Sequence, residues 1–431
     1  MGPDDPVEVI VAEREYLTVA EALRLVLDGV PVLPAGTVPI LDALGMVLAE
    51  AVVAQDSLPP FANSAMDGYA VRAADVAPAG AGSPVELRVV ADIAAGSWPE
   101  SVVTPGTAAR IMTGAPLPAG ADAVIPVEDT SEAWRSEDRS LPERVQVYRA
   151  VQAGDYVRHP GEDIAAGAVV LPAGHRLRPQ EIGVLASLGI GQVPVVCRPR
   201  VGILATGDEL IGVDEALRPG KIRNSNSYAQ TAQVLALGAR PVNLGIAGDT
   251  EADVRARLQA GLDAGVDLFV SSAGVSVGAY DVVKRVLEQA GNVGFWRVRM
   301  RPGKPLAFGR YQGVPYLGLP GNPVSAMVSF ERFARPAMLK MAGHTRLDRP
   351  QVVVVLQEAI ESDGRESYIR AIVSPAAGGG YQAVTTGGQG SHIMTSLVRA
   401  NALLIVPEGV RQVPAGTHLE AMMLDWPAEV F

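Results

Sequence analysis

The chain has 431 residues, long for a single core, so about three or four structural units are expected. Its 46 Gly and 33 Pro fall among apolar runs rather than in one low-complexity tract, which predicts many turns and not disorder. Lys and Arg total 36 against 47 Asp and Glu, and the resulting net charge of -11 argues against a general nucleic-acid binder, which would carry a basic stripe. The single cysteine, Cys197, excludes an intramolecular disulfide framework and a Cys-based zinc site, and fits a reducing, cytoplasmic compartment. His159, His175, His344, His392 and His418 never fall at i, i+4, so a histidine-ligated transition metal has little support. The acidic start M-G-P-D-D-P-V-E does not read as a secretory signal, and the most apolar window, Ile182 to Cys197, is broken by Ser, Gly, Gln and Pro, so no membrane span is expected.

Thr18 followed by Glu21 makes a capping box ahead of an amphipathic helix that Gly29 and Pro31 stop. A second helix is expected across Ile40 to Ala49, where apolar residues dominate after Pro39. The stretch D-S-L-P-P-F-A-N-S-A-M-D-G is a rigid polar loop in which Asp67-Gly68 reads either as a plain turn or as a site residue. Residues 70 to 150 lack helical periodicity and alternate short β runs with turns, at Glu86 to Val90, Ala108 to Met112, Ala123 to Val127 and Arg144 to Tyr148, which suggests a small all-β insertion. Within it, R-I-M-T-G-A-P ends a strand at Thr113-Gly114, which is either a simple strand end or a source of a hydroxyl and backbone amides. Asp163 lies in the turn P-G-E-D-I. Glu181 lies in the first turn of a helix that begins at Pro179, where capping alone suffices to explain it.

From about Gly191 the pattern becomes strand, Gly-containing loop, helix. Strands are expected at Pro199 to Ala205, Arg240 to Ile246, Asp267 to Ser271 and Val314 to Gly318, with helices at Tyr228 to Leu237, from Thr250 to Leu262, Val282 to Glu288 and Met327 to Lys340. Such alternation predicts a parallel, doubly wound sheet whose strand-to-helix loops open on one edge, where ligands of this architecture bind. Those loops carry Thr206, Asp208, Glu209, Asp249, Ser272, Ser276, Asp281, Asn322 and Ser325. The sharpest is S-S-A-G-V-S-V-G followed by Asp281. Small residues and a helix start favour an anion, and a carboxylate beside that anion makes sense with a divalent cation between them. Arg297, Arg299 and Arg301 recur with period two, so on a strand they would share one face, as a solvated edge or as a clamp for oxyanions with Lys304 beside it. Five further short strands, at Gln351 to Leu356, Ser367 to Val373, Tyr381 to Thr385, Ala402 to Val406 and His418 to Leu424, suggest a small terminal barrel.

Taken together, N-S-A-M-D-G-Y-A-V-R, R-I-M-T-G-A-P, P-G-E-D-I, A-T-G-D-E-L, S-A-G-V-S-V-G, R-P-G-K-P, G-L-P-G-N-P-V-S-A and G-Q-G-S-H-I resemble the molybdopterin molybdenumtransferases, the family of MoeA and the gephyrin E domain. The resemblance runs in order over nearly the whole chain. It implies a multidomain α/β plus β fold: an elongated helix and loop domain (1–55 and 155–190), a β insertion domain (56–154), an α/β molybdopterin-binding domain (191–341) and a C-terminal β-barrel (342–431). It also implies an enzyme that inserts molybdate into adenylated molybdopterin with Mg-dependent release of AMP. Homodimers are expected, as is contact with the adenylyltransferase that supplies the substrate.

By the same resemblance, Asp67, Thr113, Asp163, Glu181, Asp249, Asp281 and Lys304 fall on catalytic positions. Asp249 and Asp281 are the leading Mg2+ ligands, and Arg370 and Ser391 stand near the molybdate. Thr206, Asp208, Ser272, Gly274, Ser276, Gly278, Arg297, Arg301, Pro320 and Asn322 are the expected substrate-binding residues. The family often has Lys where Arg297 and Arg301 stand, and Gly where Ala273 stands. Arg keeps the charge with a different fork and reach. Two rival readings are a molybdopterin adenylyltransferase, whose fold is close to the 191–340 region alone, and a non-catalytic scaffold, for which no linker or fused domain is visible in the sequence.

Overall fold

The computed structural model describes residues 16–132, 140–272, 282–290 and 293–425. Its contacts divide the chain into two units, one made of Pro39–Leu44 with Glu50–Val193 and the other of the segments up to Val38, Gly45–Ala49 and from Pro194 onward. No helix among the described residues is long and apolar enough to cross a membrane.

The first unit is built on a five-stranded sheet in the order Ala123–Pro126, Gly68–Val71, Thr107–Ile111, Val85–Ile93, Arg144–Val147. Successive side chains of a strand face opposite ways, and here both faces are covered. Tyr69, Val71 and Ile125 enter one apolar cluster, while Ala70, Ile111 and Val124 enter another. Gly68 is required where it stands, since a Cβ there would lie 1.8 Å from the carbonyl oxygen of Ile125. Among the described residues the all-β expectation for this stretch holds apart from an α-helical turn at Ala73–Val76 and a 3-10 turn at Val127–Asp129. The unit also contains the helix Pro179–Ser187, opened by proline at its first position.

The helix expected across 40–49 does not form. One helical bond, Ala43 N–H to Pro39 O at 3.1 Å, is followed by Gly45 at φ 80 and by a bridge between Leu48 and Val195. An apolar run without a cap lacks the propensity to propagate, and its residues instead pack as a turn.

The second unit holds a seven-stranded sheet in the order Tyr16–Leu17, Val293–Val298, Pro305–Tyr311, Val314–Leu319, Leu268–Ser272, Arg200–Thr206, Arg240–Ala247. The last four strands run parallel, as the alternating pattern predicts. Val201, Ile203, Val270 and Leu317 pack on one face with Val26, Val234 and Val328 from helices, while Leu204, Phe269 and Tyr316 pack on the other with Val254, Leu258 and Val286. That alternation makes the sheet doubly wound, and each fully buried aliphatic contributes about 1.5–3 kcal/mol. Pro305–Tyr311 is an additional strand, antiparallel to both neighbours, for which the sequence pattern predicts no element.

Helix starts follow local chemistry. Glu21 N–H donates to Thr18 Oγ1 at 3.1 Å and Thr18 N–H to Glu21 Oε2 at 2.9 Å, completing the capping box. Thr250 caps its helix through Asp253 N–H. Asn224 caps Ser225–Ala236, so this helix starts three residues before Tyr228. The long helix expected from Met327 is three segments, Pro323–Ser329, a π turn Phe330–Ala334, and Arg335–Met341. Pro336 lacks the N–H that a continuous α-helix would need, and a wider turn accommodates it.

The five expected C-terminal strands form a closed barrel, Glu366–Pro375, Tyr381–Thr385, Gln351–Leu356, His418–Met423 and Ala402–Val406, with the last pairing back on the first. Met300–Arg301 adds in parallel to the edge of that barrel, Met300 opposite Glu366 and Arg301 opposite Ser367. The arginine run is therefore not one strand. Arg297 belongs to the large sheet, Arg301 to the barrel, and Arg299 sits at the crossing.

Candidate functional site

At the carboxyl ends of the parallel strands the second unit encloses a cavity of about 700 Å3. Thr206 and Ser272, both buried, finish the two central parallel strands and face it. Pro320 and Asn322 come from the loop after Val314–Leu319, and the Asn322 side chain makes no capping bond to the helix that follows. Arg301 and Lys304 flank the R-P-G-K-P turn, and Ser391 reaches in from the barrel loop G-Q-G-S. The Ser391 carbonyl accepts from Val324 N–H at 3.1 Å, which ties that loop to the start of Pro323–Ser329.

The R-P-G-K-P turn is shaped from beneath. Gly303 has φ 109, and a Cβ on it would stand 2.5 Å from the Oγ of buried Ser329. Lys304 then lies with its Nζ 5.6 Å from the centroid of the Tyr16 ring. Arg297 does not line the cavity. Its guanidinium sits over the same Tyr16 ring at 5.5 Å and donates to the Tyr16 hydroxyl at 3.1 Å. Arg299 pairs with Glu408 at 2.9 Å. Of the period-two arginines, only Arg301 is a wall residue, because the chain leaves one sheet for the other between Val298 and Met300.

Arg370 is not a wall residue either. It is 1% exposed and donates through Nε to Ser396 Oγ at 3.1 Å and through Nη2 to the Gly390 carbonyl at 3.2 Å. Burial, and secondarily the nearby Arg301, push its pKa down to about 10, so it remains cationic at neutral pH. It supports the Gly390–Ser391 wall from behind.

Asp208 and Asp249 meet through reciprocal main-chain bonds. Asp249 N–H donates to Asp208 Oδ1 at 3.0 Å, and Asp208 N–H to Asp249 Oδ2 at 3.3 Å. The other oxygen of each carboxylate makes no hydrogen bond to the described residues. Lys221 Nζ donates to the Asp208 carbonyl and braces the same loop. Among the described residues no three His, Cys, Asp or Glu side chains gather as a metal-holding group. Gly274, Ser276, Gly278 and Asp281, with Ala273, lie outside the described residues.

In the first unit, Asp67 and Thr113 are brought together. Asp67 Oδ1 accepts from both the Thr113 N–H and its hydroxyl at 2.7 Å. Arg110, three residues earlier, is fixed by Asp92 Oδ1 at 2.9 Å, which anchors the strand that leads to Thr113. Asp163 is exposed in its turn, with its N–H on the Leu58 carbonyl at 3.0 Å. Glu181 is 6% exposed and already occupied: it accepts from Arg178 N–H at 2.8 Å, from Arg178 Nη2 at 2.6 Å, and meets His175 Nε2 at 3.1 Å. The Arg178 guanidinium, against the opposing effect of burial, holds its pKa at about 2.

Several wall residues escaped the sequence reading. Asn224 and Asn226 come from I-R-N-S-N-S, where Asn before a helix was a readable cap signal. Asn226 Nδ2 donates to the Gly321 carbonyl at 2.7 Å and so fixes the Pro320–Asn322 loop. Arg365 arrives from the barrel side with no local spacing to announce it, while Gln389 lies in the stretch G-Q-G-S-H-I, where the sequence alone assigns it no role.

Three family models match consecutive stretches of the chain: the MoeA N-terminal region (domain I and II) over residues 17–189, a probable molybdopterin binding domain over 202–340, and the MoeA C-terminal region (domain IV) over 353–424. The chain is similar to molybdopterin molybdenumtransferase 2 of Mycobacterium tuberculosis, 42% identical over 391 residues that cover 89% of this chain and 94% of the relative. It is also similar to the molybdopterin molybdenumtransferase of Bacillus subtilis, 34% identical over 98% of each chain. Among solved structures, the molybdopterin biosynthesis moeA protein of Pyrococcus horikoshii OT3 superposes with a TM-score of 0.78 at 31% identity, over 95% of this chain and all of that one. With the motifs, the doubly wound sheet, the closed barrel and these matches in agreement, the chain belongs to the molybdopterin molybdenumtransferase family, enzymes of molybdenum cofactor biosynthesis.

Proposed function

We propose that the protein inserts molybdate into adenylated molybdopterin and releases AMP in a Mg2+-dependent reaction. The observation that carries this reading is the make-up of the cavity, lined by hydroxyl and amide groups at parallel strand ends together with Arg301, Lys304 and Ser391 of the barrel loop. Such a set grips phosphate and oxyanion oxygens rather than an apolar ligand. Arg301 and Lys304 hold negative charge, Thr206, Ser272, Asn322 and Ser391 orient it, and Arg370 keeps the Ser391 loop in place.

Asp208 and Asp249 offer hard oxygen donors, each with one oxygen that makes no hydrogen bond to the described residues, a set suited to Mg2+, and Asp281 completes the proposed ligands. Bound there, Mg2+ supplies charge neutralisation and orientation for a pyrophosphate link. Asp67, Thr113, Asp163 and Glu181 complete the proposed catalytic set, with Gly274, Ser276 and Gly278 in the substrate contacts. The reading extends to a cytoplasmic homodimer that receives its substrate from an adenylyltransferase; the single Cys197 and the family resemblance support it.

The test is AMP release by the purified protein given adenylated molybdopterin, molybdate and Mg2+. Release that needs both molybdate and Mg2+ is expected. Release indifferent to molybdate, or none, overturns the proposal.

A further inference from the structure

Two arginines reach the cavity wall from the barrel side. Arg301 comes from the short strand that pairs with the start of Glu366–Pro375, and Arg365 from the turn just before that strand. Asp363 stands between them. Its Oδ2 accepts from Arg365 Nε at 3.0 Å and from Arg365 Nη2, its Oδ1 accepts from the Arg365 N–H at 3.1 Å, and Arg301 Nη1 lies 3.8 Å from Oδ2. The Arg365 hydrogen bonds, with Arg301 adding a smaller attraction, hold the Asp363 carboxyl below its usual range. The carboxylate is thus charged wherever the two arginines need it.

Arg365 is held on a second side as well, since its Nη1 donates to the Met300 carbonyl at 3.1 Å. A guanidinium carries five N–H donors in one plane. Asp363 takes the Nε donor and one from Nη2, and Met300 takes one from Nη1. The two remaining donors, one on each terminal nitrogen, make no bond to the described residues. A guanidinium clasped along its Nε edge keeps its terminal edge as a fork, the geometry that matches two oxygens of a carboxylate, phosphate or oxyanion. Among the described residues the charged members of the wall are Arg223, Arg301, Lys304 and Arg365 against Glu209, a balance that favours an anion. Arg223 gives two donors to the carbonyls of Val213 and Glu215, and with Arg301, Lys304 and Arg365 it adds to the positive charge of the wall.

We propose that Arg365, positioned by Asp363, is a further anion-contacting residue of this cavity, which with Arg301 grips a tetrahedral oxyanion group from the barrel side. The proposal rests on the functional reading above and adds to it a residue and its support. The gripped group is either free molybdate or a phosphate of the nucleotide-bearing substrate. Asp363 does not touch it: it is a positioning residue, which fixes the plane of Arg365 and relieves the repulsion between the two arginines.

The test uses the full chain as wild type, Arg365→Gln, Arg365→Lys, Asp363→Asn and Asp363→Glu, each checked for an unchanged melting transition. Calorimetric titrations use molybdate alone and AMP alone, and turnover is followed as AMP release. Loss of the fork in Arg365→Gln is expected to weaken one probe by about tenfold or more, as the removal of a charge-assisted pair does. Weakening of molybdate assigns the fork to the free oxyanion, and weakening of AMP assigns it to the substrate phosphate. Arg365→Lys keeps the charge without the fork and is expected to recover only part of the affinity; it carries the test if the Gln variant does not fold. Asp363→Asn is expected to raise KM while kcat stays near wild type, with Asp363→Glu restoring it, a split that general destabilisation does not produce. If folded Arg365→Gln and Arg365→Lys bind both probes within twofold of wild type, the proposal is overturned. If wild type shows no molybdate-dependent AMP release while Arg365→Gln still loses anion affinity, the functional reading fails and the anion contact stands.

Discussion

Arg370 and Gly390 are joined by a hydrogen bond of 3.2 Å from a buried guanidinium Nη2 to a main-chain carbonyl that forms part of the cavity wall. The link is reinforced by Gln389, whose Oε1 accepts the Arg370 N–H at 3.0 Å and whose Nε2 donates to the Arg370 carbonyl at 3.2 Å. Ser391 therefore stands where Arg370 puts its loop.

Arg370→Lys tests this support. Lysine keeps a positive charge but cannot reach Ser396 and Gly390 from the edges of one plane. The variant is expected to lose about 1–3 kcal/mol of stability, the cost of leaving a buried acceptor unmade, and to bind molybdate more weakly. Urea unfolding read beside molybdate titration checks both. Unchanged stability together with unchanged affinity removes the support role.

Gly303→Ala tests the turn beneath Lys304. The new Cβ would meet Ser329 Oγ at 2.5 Å in a backbone region, φ 109, that L residues avoid. A loss of about 1–3 kcal/mol is expected, with AMP release falling because Lys304 is displaced. Adding Ser329→Gly removes the clash but not the backbone strain, so the double variant should recover part of the stability and not all. Full recovery would mean that φ carries no cost there.

These two cases show what the sequence could and could not disclose. The Thr18–Glu21 cap, the parallel strands and the five barrel strands each follow from neighbours within a few residues, and all were readable. The period-two arginines obeyed the same rule and misled, because Met300–Arg301 leaves the large sheet to pair with the barrel, a change of partner that periodicity does not encode. The absent helix at 40–49 is similar: apolar content suggested it, but Gly45 and the Leu48–Val195 bridge decided the path. Arg365 and Arg370 acquire their meaning from Met300 and Gly390, which lie 65 and 20 residues away along the chain. Only the fold supplies those distances.

Asp67 holds Thr113 twice, by main chain and hydroxyl, both at 2.7 Å. Thr113→Val removes one bond and keeps the shape, so a cost under about 1 kcal/mol is expected for so exposed a pair. Asp67→Ala removes both and frees the Thr113 turn, and under the proposed function it should depress AMP release far more than it depresses stability. Chemical denaturation beside turnover separates the two effects. Equal, modest losses in both variants would make the pair a turn clasp and nothing more.

Glu181 makes an acid-sensitive clasp of the helix start, and its sign can be worked out. Its pKa falls from 4.5 to about 2 on folding, first through the Arg178 hydrogen bonds and also through His175 and the Arg178 N–H. A depressed carboxyl pKa stabilises the fold wherever the group is ionised in both states, above about 4.5, and the contribution disappears as pH falls toward 2. Because Arg178 is 58% exposed, solvent screening limits what the pair contributes. Glu181→Gln keeps an acceptor for the Arg178 N–H but loses the screened ion pair, so it should cost up to about 1 kcal/mol at pH 7. The gap between the variant and wild type should narrow between pH 4.5 and 2 as the wild-type carboxylate takes up its proton. Denaturant midpoints across that range measure it. A gap that stays constant with pH would show that the helix start draws nothing from the ionised group.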